Sequence, residues 1–354
     1  MAQKLKIGII GAGGIARGPH INGWKQVADA EVVAVCDISK GAAESMAREH
    51  GIPNVFTDFR ELVKLTEIDA VDICTPNRVH TPAVLAAFAR RKHVLCEKPL
   101  AVTVREVKQM QAAAARARKL LMTAQHQRFS GISTAVKQFI ATHPIGEVYH
   151  ARVHAVRRNL LPTNPGFIDP ALSGGGPCMD IGVHALDLAM WLMDSPMPVR
   201  VSGRMMTNFA MGHDIPGAWG DWDRKLFGVE DFASGFVHFE NGATMVLEAS
   251  WLQHQQEKED MSCRLFGRKG GVSWPAGHYS SAANGALFDA AIQAHHVQSA
   301  HAEEIKAFAH AVRTGGPSPV PVDQTIKVIA ILEGIMRSSE RGGREVALNL
   351  RNGK

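Results

Sequence analysis

The chain has 354 residues, more than one hydrophobic core usually serves, so its length predicts two domains. Hydrophobic residues make up 45% and charged residues 21% of the sequence, which is typical of a globular enzyme and argues against a disordered or fibrous chain. The net charge of +5 comes from Lys and Arg residues scattered among 34 acidic residues, without a basic block, so it does not indicate nucleic-acid binding.

The cysteines and the N-terminal sequence indicate the cellular compartment. The five cysteines are an odd number without C-x-x-C spacing, and we expect them to be reduced core residues. The opening sequence MAQKLKIGIIGAGG enters a strand at once, and no apolar run approaches the roughly 18 residues of a membrane span. We therefore expect a cytoplasmic protein that does not bind membranes.

Up to about Thr123, short β-rich runs alternate with helical segments. The strand-like runs are KIGIIGAG, EVVAVCD, AVDICTP and HVLCEKP, separated by segments such as ISKGAAESMAREHG and HTPAVLAAFARRK. Continuous apolar strands that alternate with helices are typical of a doubly wound parallel sheet. The predicted fold class of this part is therefore α/β.

The first strand runs into a glycine-rich loop that fits the dinucleotide pattern G-x-G-x-x-G/A. Gly11 would permit the tight turn, Gly13 would let the backbone approach a pyrophosphate, and Ala16 would allow a helix to pack closely. The second strand ends in Asp37, about where a carboxylate meets the adenosine ribose, and this carboxylate would repel the 2′-phosphate of NADP. The loop predicts a Rossmann domain that binds NAD, with the contacts Gly11, Gly13, Gly14, Ile15 and Asp37. The alternative is a glycine-rich turn followed by a helix-capping acid.

Polar residues follow two further strands, at the sheet edge where doubly wound folds bind their ligands. One group is Thr75-Pro76-Asn77 and the other is Glu97-Lys98, which Pro99 follows. Pro99 ends its strand, fixes the backbone after Lys98 and permits a cis peptide bond there. We expect the nicotinamide at this edge, with the Lys98 side chain directed towards it. The alternative is a solvated ion pair at a strand end.

After Ala124 the pattern becomes that of an α+β domain. A predicted helix around Ser133 to Thr142 leads into the alternating strand EVYHARVHAV. A Gly/Pro-rich loop precedes a helix from about Asp180 to Met193. Two hairpins and two closing helices follow, with a turn at Asn241-Gly242, a second hairpin in SCRLFGRKGGVSW, and helices near Ala302 to Thr314 and Asp323 to Arg341. The predicted domains are residues 1–123 and 124–354.

The helix predicted from Asp180 carries Asp180, His184 and Asp187 at positions i, i+4 and i+7. This spacing puts them on one face, where an acid can orient the histidine while its other nitrogen meets substrate. The glycines at 174–176 would let a substrate approach the backbone. One alternative is an N-cap acid with a satisfied histidine on a core helix. The other is a metal site, although no H-E-x-x-H pattern or third histidine supports it, so no metal is expected.

Four motifs together resemble one family. They are the phosphate loop, T-P-N-x-x-H (75–80), K-H-V-L-C-E-K-P-L (92–100) and G-G-G-x-x-x-D-x-G-x-H-x-x-D (174–187). The sequence is similar over nearly its whole length to the glucose-fructose oxidoreductase, inositol dehydrogenase and MocA (Gfo/Idh/MocA) family. The resemblance implies a Rossmann domain, a second domain with a large, mostly antiparallel open-faced sheet, NAD or NADP as cofactor, and a sugar, cyclitol or related polyol as substrate.

The resemblance also implies roles for individual residues. Lys98 corresponds to the family's catalytic-site lysine, Asp180 to its substrate-binding acid and His184 to its acid/base histidine. Arg128 is a further candidate for substrate binding. The cofactor loops would include Thr75, Pro76, Asn77, His80, Glu97 and Lys98. The sequence departs from the family pattern at Arg91, where glycine is usual, and in the Trp-rich GAWGDWDRKLFG (217–228), which matches no family signature.

We therefore expect an NAD-dependent dehydrogenase that moves hydride between a ring carbon and nicotinamide. Oxidation of an alcohol needs a base for the hydroxyl proton and positive charge near the alkoxide, which His184 and Lys98 would supply. The alternatives are a keto-sugar reductase, an enzyme that retains its nucleotide between two sugars, and a non-catalytic nucleotide sensor. The alternating run SGFVHFENGATMVLEASW (234–251) predicts a sheet face that a partner covers in a homodimer or homotetramer.

Overall fold

The computed structural model describes residues 4–143 and 145–350, which form two compact units. The first unit runs to Phe129 and also includes Gln298–Thr325. The second unit consists of Ser130–Val297 and the chain from Ile326 onward. The first boundary between the units, after Phe129, lies six residues beyond the predicted boundary at 123. Residues 298–325 fall in the predicted second domain but group with the first unit.

The described residues contain strands and helices that we number in chain order. The strands are β1 Leu5–Ile10, β2 Ala30–Cys36, β3 Asn54–Phe56, β4 Ala70–Ile73, β5 His93–Cys96, β6 Leu121–Thr123, β7 Val148–Arg157, β8 Pro198–Met206, β9 Phe232–Phe239, β10 Thr244–Ser250, β11 Glu259–Gly267, β12 Gly270–Trp274, β13 His278–Ala283, β14 Ala286–Ala291 and β15 Val346–Ala347. The helices are α1 Ile21–Lys25, α2 Lys40–His50, α3 Phe59–Leu62, α4 Asn77–Ala89, α5 Val104–Ala117, α6 Gly131–Thr142, α7 Pro165–Ile168, α8 Pro170–Ser173, α9 Val183–Leu192, α10 Ala300–Thr314 and α11 Val322–Glu340.

The first unit is built on a parallel sheet with the strand order β3-β2-β1-β4-β5-β6. This is the doubly wound Rossmann order, as predicted. All four residues of β4 are buried, as expected for a strand covered on both faces. Helix α10 belongs to the same core, since Phe308 packs edge-on against Trp24 with ring centroids 6.1 Å apart.

The second unit contains a nine-stranded sheet in the order β14-β13-β12-β11-β7-β10-β9-β8-β15. Only the β7–β10 pair is parallel, so the sheet is mostly antiparallel, as the resemblance implied. Both predicted hairpins are present, and Gly242 in the first turn has a φ of +84° that favours glycine. Helix α9 packs against β7 and β11.

The predicted helix from Asp180 is not a single regular α-helix. It begins as a π-helical turn, Cys178–Gly182, and continues as α9. The turn is preceded by Pro177, whose side chain makes no capping bond, so Asp180 lies inside the turn and is not its N-cap. A π turn inside a helix is uncommon and occurs frequently at functional sites.

Two further expectations concern the whole chain. All five cysteines are free and buried, as expected of core residues. Among the residues that the structure describes, no helix is both long and apolar enough to cross a membrane.

Candidate active site

The phosphate loop has the open backbone that a dinucleotide requires. Gly11 has a φ of +102°, and a Cβ atom there would lie 2.4 Å from the carbonyl oxygen of Cys74, so only glycine fits. By contrast, a Cβ atom at Gly13 or Gly14 would meet nothing within 4 Å. These two residues are exposed, and the space beside them fits a pyrophosphate.

Asp37 follows β2 and holds the start of this loop. Its Oδ2 accepts a hydrogen bond from the Ala12 N–H at 2.8 Å, and its Oδ1 accepts one from the Ser39 N–H at 2.8 Å. An ionised carboxylate has about four acceptor sites, so these two bonds leave capacity for ribose hydroxyls. The position of Asp37 therefore fits the predicted role in cofactor binding.

His80, in the first turn of α4, connects the loop after β4, which contains Thr75, with the loop after β5, which contains Pro99. The buried His80 ring lies between two carbonyl oxygens, with Nδ1 2.8 Å from that of Pro99 and Nε2 2.9 Å from that of Thr75. Burial lowers the pKa of His80, and a neutral ring donates to only one of these oxygens at a time. His80 thus joins the two loops, whereas the buried Thr75 hydroxyl has no hydrogen-bond partner among the described residues and could meet a ligand.

A fully buried histidine links two of the parallel strands. His20 lies at the end of a π-helical turn, Ala16–His20, after the phosphate loop. Its Nδ1 is 2.9 Å from Asp72 Oδ2, and its Nε2 is 2.8 Å from Glu97 Oε1. The Trp24 indole N–H also donates to Asp72, at 2.7 Å. The sequence analysis did not identify His20, Trp24 or Asp72 as part of the site.

The electrostatics of this network favour an imidazolium between two carboxylates. Burial is the largest single influence and would lower the pKa of His20, but the charge and hydrogen bond of Asp72, together with those of Cys74, outweigh it and raise that pKa well above 6.5. Burial would raise the pKa of Glu97, but the hydrogen bond and charge of His20, together with the charge of Lys98, lower it to about 2. Glu97 Oε2 in turn accepts a hydrogen bond from the Lys98 backbone N–H at 2.9 Å. Glu97 is therefore a buried anchor for the Lys98 backbone, which excludes the solvated pair.

Burial disfavours the charged forms of the groups around the network. Burial, reinforced by the charge of His301, lowers the pKa of His126 to about 3, and burial lowers that of His301 to about 4. These two rings stack with centroids 3.9 Å apart. Burial raises the pKa of Glu304 well above 4.5 and that of the Cys74 thiol to about 12. Cys74, His20 and Asp72 lie close enough to share a metal ion, but a protonated thiol and the His20–Asp72 hydrogen bond oppose one.

Lys98 and Arg128 were both predicted to be site residues. The Lys98–Pro99 peptide bond is cis, as the sequence permitted, and the Lys98 side chain is half-buried. Arg128 is buried in a 3-10 turn, His126–Phe129, and its Nη1 donates to Gln324 Oε1 at 2.6 Å. The contact with Gln324 gives Arg128 a structural role within the first unit, and substrate binding by Arg128 stays a prediction.

In the second unit, Asp180 is 7% exposed and His184 and Asp187 are buried nearby along the same helix. Asp180 Oδ2 accepts a hydrogen bond from the Trp251 indole N–H at 3.0 Å and lies 3.9 Å from Arg157 Nη1. Because Trp251 is completely buried, it fixes the direction of the carboxylate. Trp251 lies far from Asp180 in sequence, and the sequence analysis did not identify it.

Gly176 in the glycine-rich loop before Asp180 lies against protein backbone. A Cβ atom there would lie 2.0 Å from the carbonyl oxygen of Glu230, so this contact requires glycine, and substrate approach to the loop stays a prediction. The Glu230 carboxyl group accepts hydrogen bonds from the N–H groups of Gly176 at 2.9 Å and Cys178 at 3.1 Å. Burial raises the pKa of Glu230 to about 7. Glu230 therefore anchors the start of the π turn that carries Asp180.

The chain is similar to known proteins over most of its length. Residues 5–125 match the oxidoreductase family with the NAD-binding Rossmann fold, and residues 133–273 match the GFO/IDH/MocA C-terminal domain. The chain is 29% identical to a D-glucoside 3-dehydrogenase of Escherichia coli K12 over 343 residues, 97% of each chain. It is 26% identical to a myo-inositol 2-dehydrogenase of Thermotoga maritima over 269 residues, 76% of this chain and 74% of that one.

A solved structure supports the same assignment of the fold. Levoglucosan dehydrogenase, in complex with NADH and levoglucosan, superposes with a TM-score of 0.82 at 21% identity, over 98% of this chain and 100% of that one. The two family matches follow one another along the sequence and together cover most of it. The first match lies within the first unit and the second match within the second unit. The chain therefore belongs to the Gfo/Idh/MocA family of oxidoreductases.

Proposed function

We propose that the protein is an NAD-dependent dehydrogenase that oxidises a ring hydroxyl of a sugar, cyclitol or related polyol. The observation that carries the proposal is the open phosphate loop at Gly13 and Gly14 with Asp37 beside it, in a chain similar to D-glucoside and myo-inositol dehydrogenases. Gly13 and Gly14 would hold the pyrophosphate, Asp37 the adenosine ribose, and the Thr75 hydroxyl a polar group of the ligand. Bound NAD supplies a hydride acceptor.

The remaining steps fall to side chains of this chain. His184 would accept the proton of the reacting hydroxyl, and the Lys98 ammonium would stabilise the negative charge that develops on that oxygen. Asp180, fixed by Trp251, would accept hydrogen bonds from substrate hydroxyls or orient His184. The Glu97 carboxylate would keep the Lys98 backbone in place through its bond to the Lys98 N–H.

The experiment that tests the function also tests the cofactor. Initial rates with inositols, aldoses and methyl glucosides are followed by the absorbance of the reduced cofactor, with NAD and with NADP. We expect NAD to be preferred, because the charge of Asp37 opposes a 2′-phosphate, and we expect Asp37→Ser to reduce the preference by about tenfold or more. Asp58→Ser is the matched control, because Asp58 accepts the same i+2 backbone bond as Asp37 but follows β3. Absence of dehydrogenase activity would contradict the function, and an unchanged preference would contradict the role of Asp37.

We also propose a homodimer or homotetramer that forms through the sheet of the second unit. In β9 and β10, Val237, Met245 and Leu247 are buried, whereas Phe236 and Val246 alternate with them and stay partly exposed. Apolar and aromatic groups of this kind on a broad sheet favour a self-complementary contact. Light scattering should return a multiple of the 38.3 kDa chain mass, and a monomer at micromolar concentration would contradict the proposal.

A further inference from the structure

The Trp-rich segment 217–228 is connected to Asp180 through Arg157. Arg157, the last residue of β7, has its guanidinium carbon 5.3 Å from the ring centroid of Trp219. On the other side, Arg157 Nη1 lies 3.9 Å from Asp180 Oδ2. Arg157 thus joins an exposed indole to the carboxylate that the proposed function assigns to the substrate, and all three residues belong to the second unit.

Hydrogen bonds hold the backbone around Trp219 in place. The Ala218 N–H donates to the carbonyl oxygen of Asn159 at 2.9 Å, and the Asn159 side chain donates to that of Pro216 at 2.9 Å. A turn follows, with the Gly220 N–H donating to Gly217 and a φ of +100° at Gly220. Further along the segment, the buried Trp222 indole donates to the carbonyl oxygen of Ala210 at 2.8 Å.

The guanidinium of Arg157 is fixed as well. Its Nε donates to Glu259 Oε1 at 2.6 Å, and its side chain is only 16% exposed. It covers one face of the indole as a cation–π partner, and Trp219 nevertheless stays 51% exposed. A large aromatic surface that is rigidly presented to solvent next to charged hydrogen-bonding groups is typical of a ligand contact.

Exposure increases from Asp180, at 7%, through Arg157 to Trp219. A ligand whose reacting ring is bound at Asp180 would therefore reach Trp219 with the part that is farthest from that carboxylate and nearest to solvent. For a sugar, that part is the substituent on the anomeric oxygen. An indole face suits a phenyl ring or the C–H face of a second sugar, and the guanidinium can donate to the glycosidic or ring oxygen.

Resting on the proposed function, we propose that Trp219 and Arg157 form a subsite for the aglycone or second sugar of a glycoside, so that glycosides are the substrate class of this enzyme. Trp219 binds the substituent by stacking and takes no part in the chemistry. Its contribution is the same in the ground state and the transition state, so its loss raises KM and leaves kcat close to the wild-type value.

The test compares phenyl β-D-glucopyranoside with methyl β-D-glucopyranoside. Isothermal titration of each glucoside into the protein saturated with NADH measures Kd without turnover, and steady-state rates with NAD measure KM and kcat. We expect the wild type to favour the phenyl glucoside by about tenfold in both Kd and KM, Trp219→Ala to lose this discrimination, and Trp219→Phe to keep most of it. Met211→Ala is the matched control, because Met211 is 56% exposed in the same β8–β9 connection, and it should leave both constants unchanged.

The outcomes separate this inference from the proposed function. If the glucosides are oxidised and Trp219→Ala keeps the wild-type discrimination, or weakens both glucosides equally, the aglycone subsite is wrong and the dehydrogenase stands. If the glucosides bind with discrimination that depends on Trp219 but neither they nor any inositol or aldose is oxidised, the subsite stands and the dehydrogenase is wrong. If neither glucoside binds to the wild type, the subsite is wrong whatever other substrate is oxidised.

Discussion

His184→Asn should lower kcat by about 10²- to 10⁴-fold with whichever polyol the wild type oxidises. A base that accepts the hydroxyl proton acts only as the transition state forms, so KM for NAD should change far less than kcat. The variant should also change the dependence of rate on pH, because the group that accepts the proton has been removed. Steady-state kinetics over pH make the measurement, with His296→Asn as an exposed control.

Lys98→Ala should cause a loss of similar size while NAD still binds, because the substitution keeps the backbone N–H of residue 98 that donates to the Glu97 carboxylate. The double variant should fall well short of the product of the two losses if, as proposed, both groups serve the same reacting hydroxyl. Lys40→Ala serves as the control at an exposed lysine. If His184→Asn keeps the wild-type kcat and pH profile, the base lies elsewhere and Lys98 becomes the first candidate.

His20→Ala should reduce the free energy of unfolding by about 3–5 kcal/mol. The substitution removes the cation between Asp72 and Glu97 and leaves both carboxylates in a buried environment. Urea unfolding makes the measurement, with His296→Ala as the exposed control. In an Asp72→Asn background the loss from His20→Ala should be smaller by more than about 1 kcal/mol, because one of the two buried charges is already gone.

The pH dependence distinguishes lost charge pairing from a simple cavity. The folded-state pKa of His20 is raised, so its contribution is complete below 6.5 and is lost as pH rises through that folded-state pKa. The pKa of Glu97 is lowered to about 2, so its contribution is complete above 4.5 and is lost as pH falls towards 2. The stability difference between wild type and His20→Ala should therefore be greatest between pH 4.5 and 6.5. A difference that is constant from acid to alkaline pH would indicate only lost packing.

The fold could be predicted from local patterns because its strands and turns carry local signals. The apolar runs at β1, β2, β4 and β5, and the Asn241-Gly242 turn, correspond to the observed sheet elements. The grouping of α10 with the first unit carried no such signal. Its apolar face predicts a buried helix, but the partner of that face, Trp24, is set by tertiary packing that a single sequence does not encode locally.

The site was predictable where a motif fixes the chemistry, as in the phosphate loop. The role of His20 was not predictable, because a histidine in the helical segment after a phosphate loop can have many ordinary structural roles. Asp72 did carry a signal, since a carboxylate inside the apolar run AVDIC must find a hydrogen-bonding cation or donor when that strand is buried. Trp251, just after β10, and Glu230, just before β9, are far from the Asp180 turn in sequence, so only the folded chain reveals them.

Because the chain returns to the first unit only after Ser130–Val297, translation completes that unit late. The first unit's hydrophobic core includes Ile305 and Phe308, which a ribosome makes only after the whole of Ser130–Val297. At elongation rates of about 5–20 residues per second, the nascent Rossmann sheet waits roughly 10–30 s with the apolar surface of Trp24 uncovered. Premature termination before α10 would leave that surface permanently open, so truncated chains should be recognised by chaperones and proteases even though every strand of the sheet has been made.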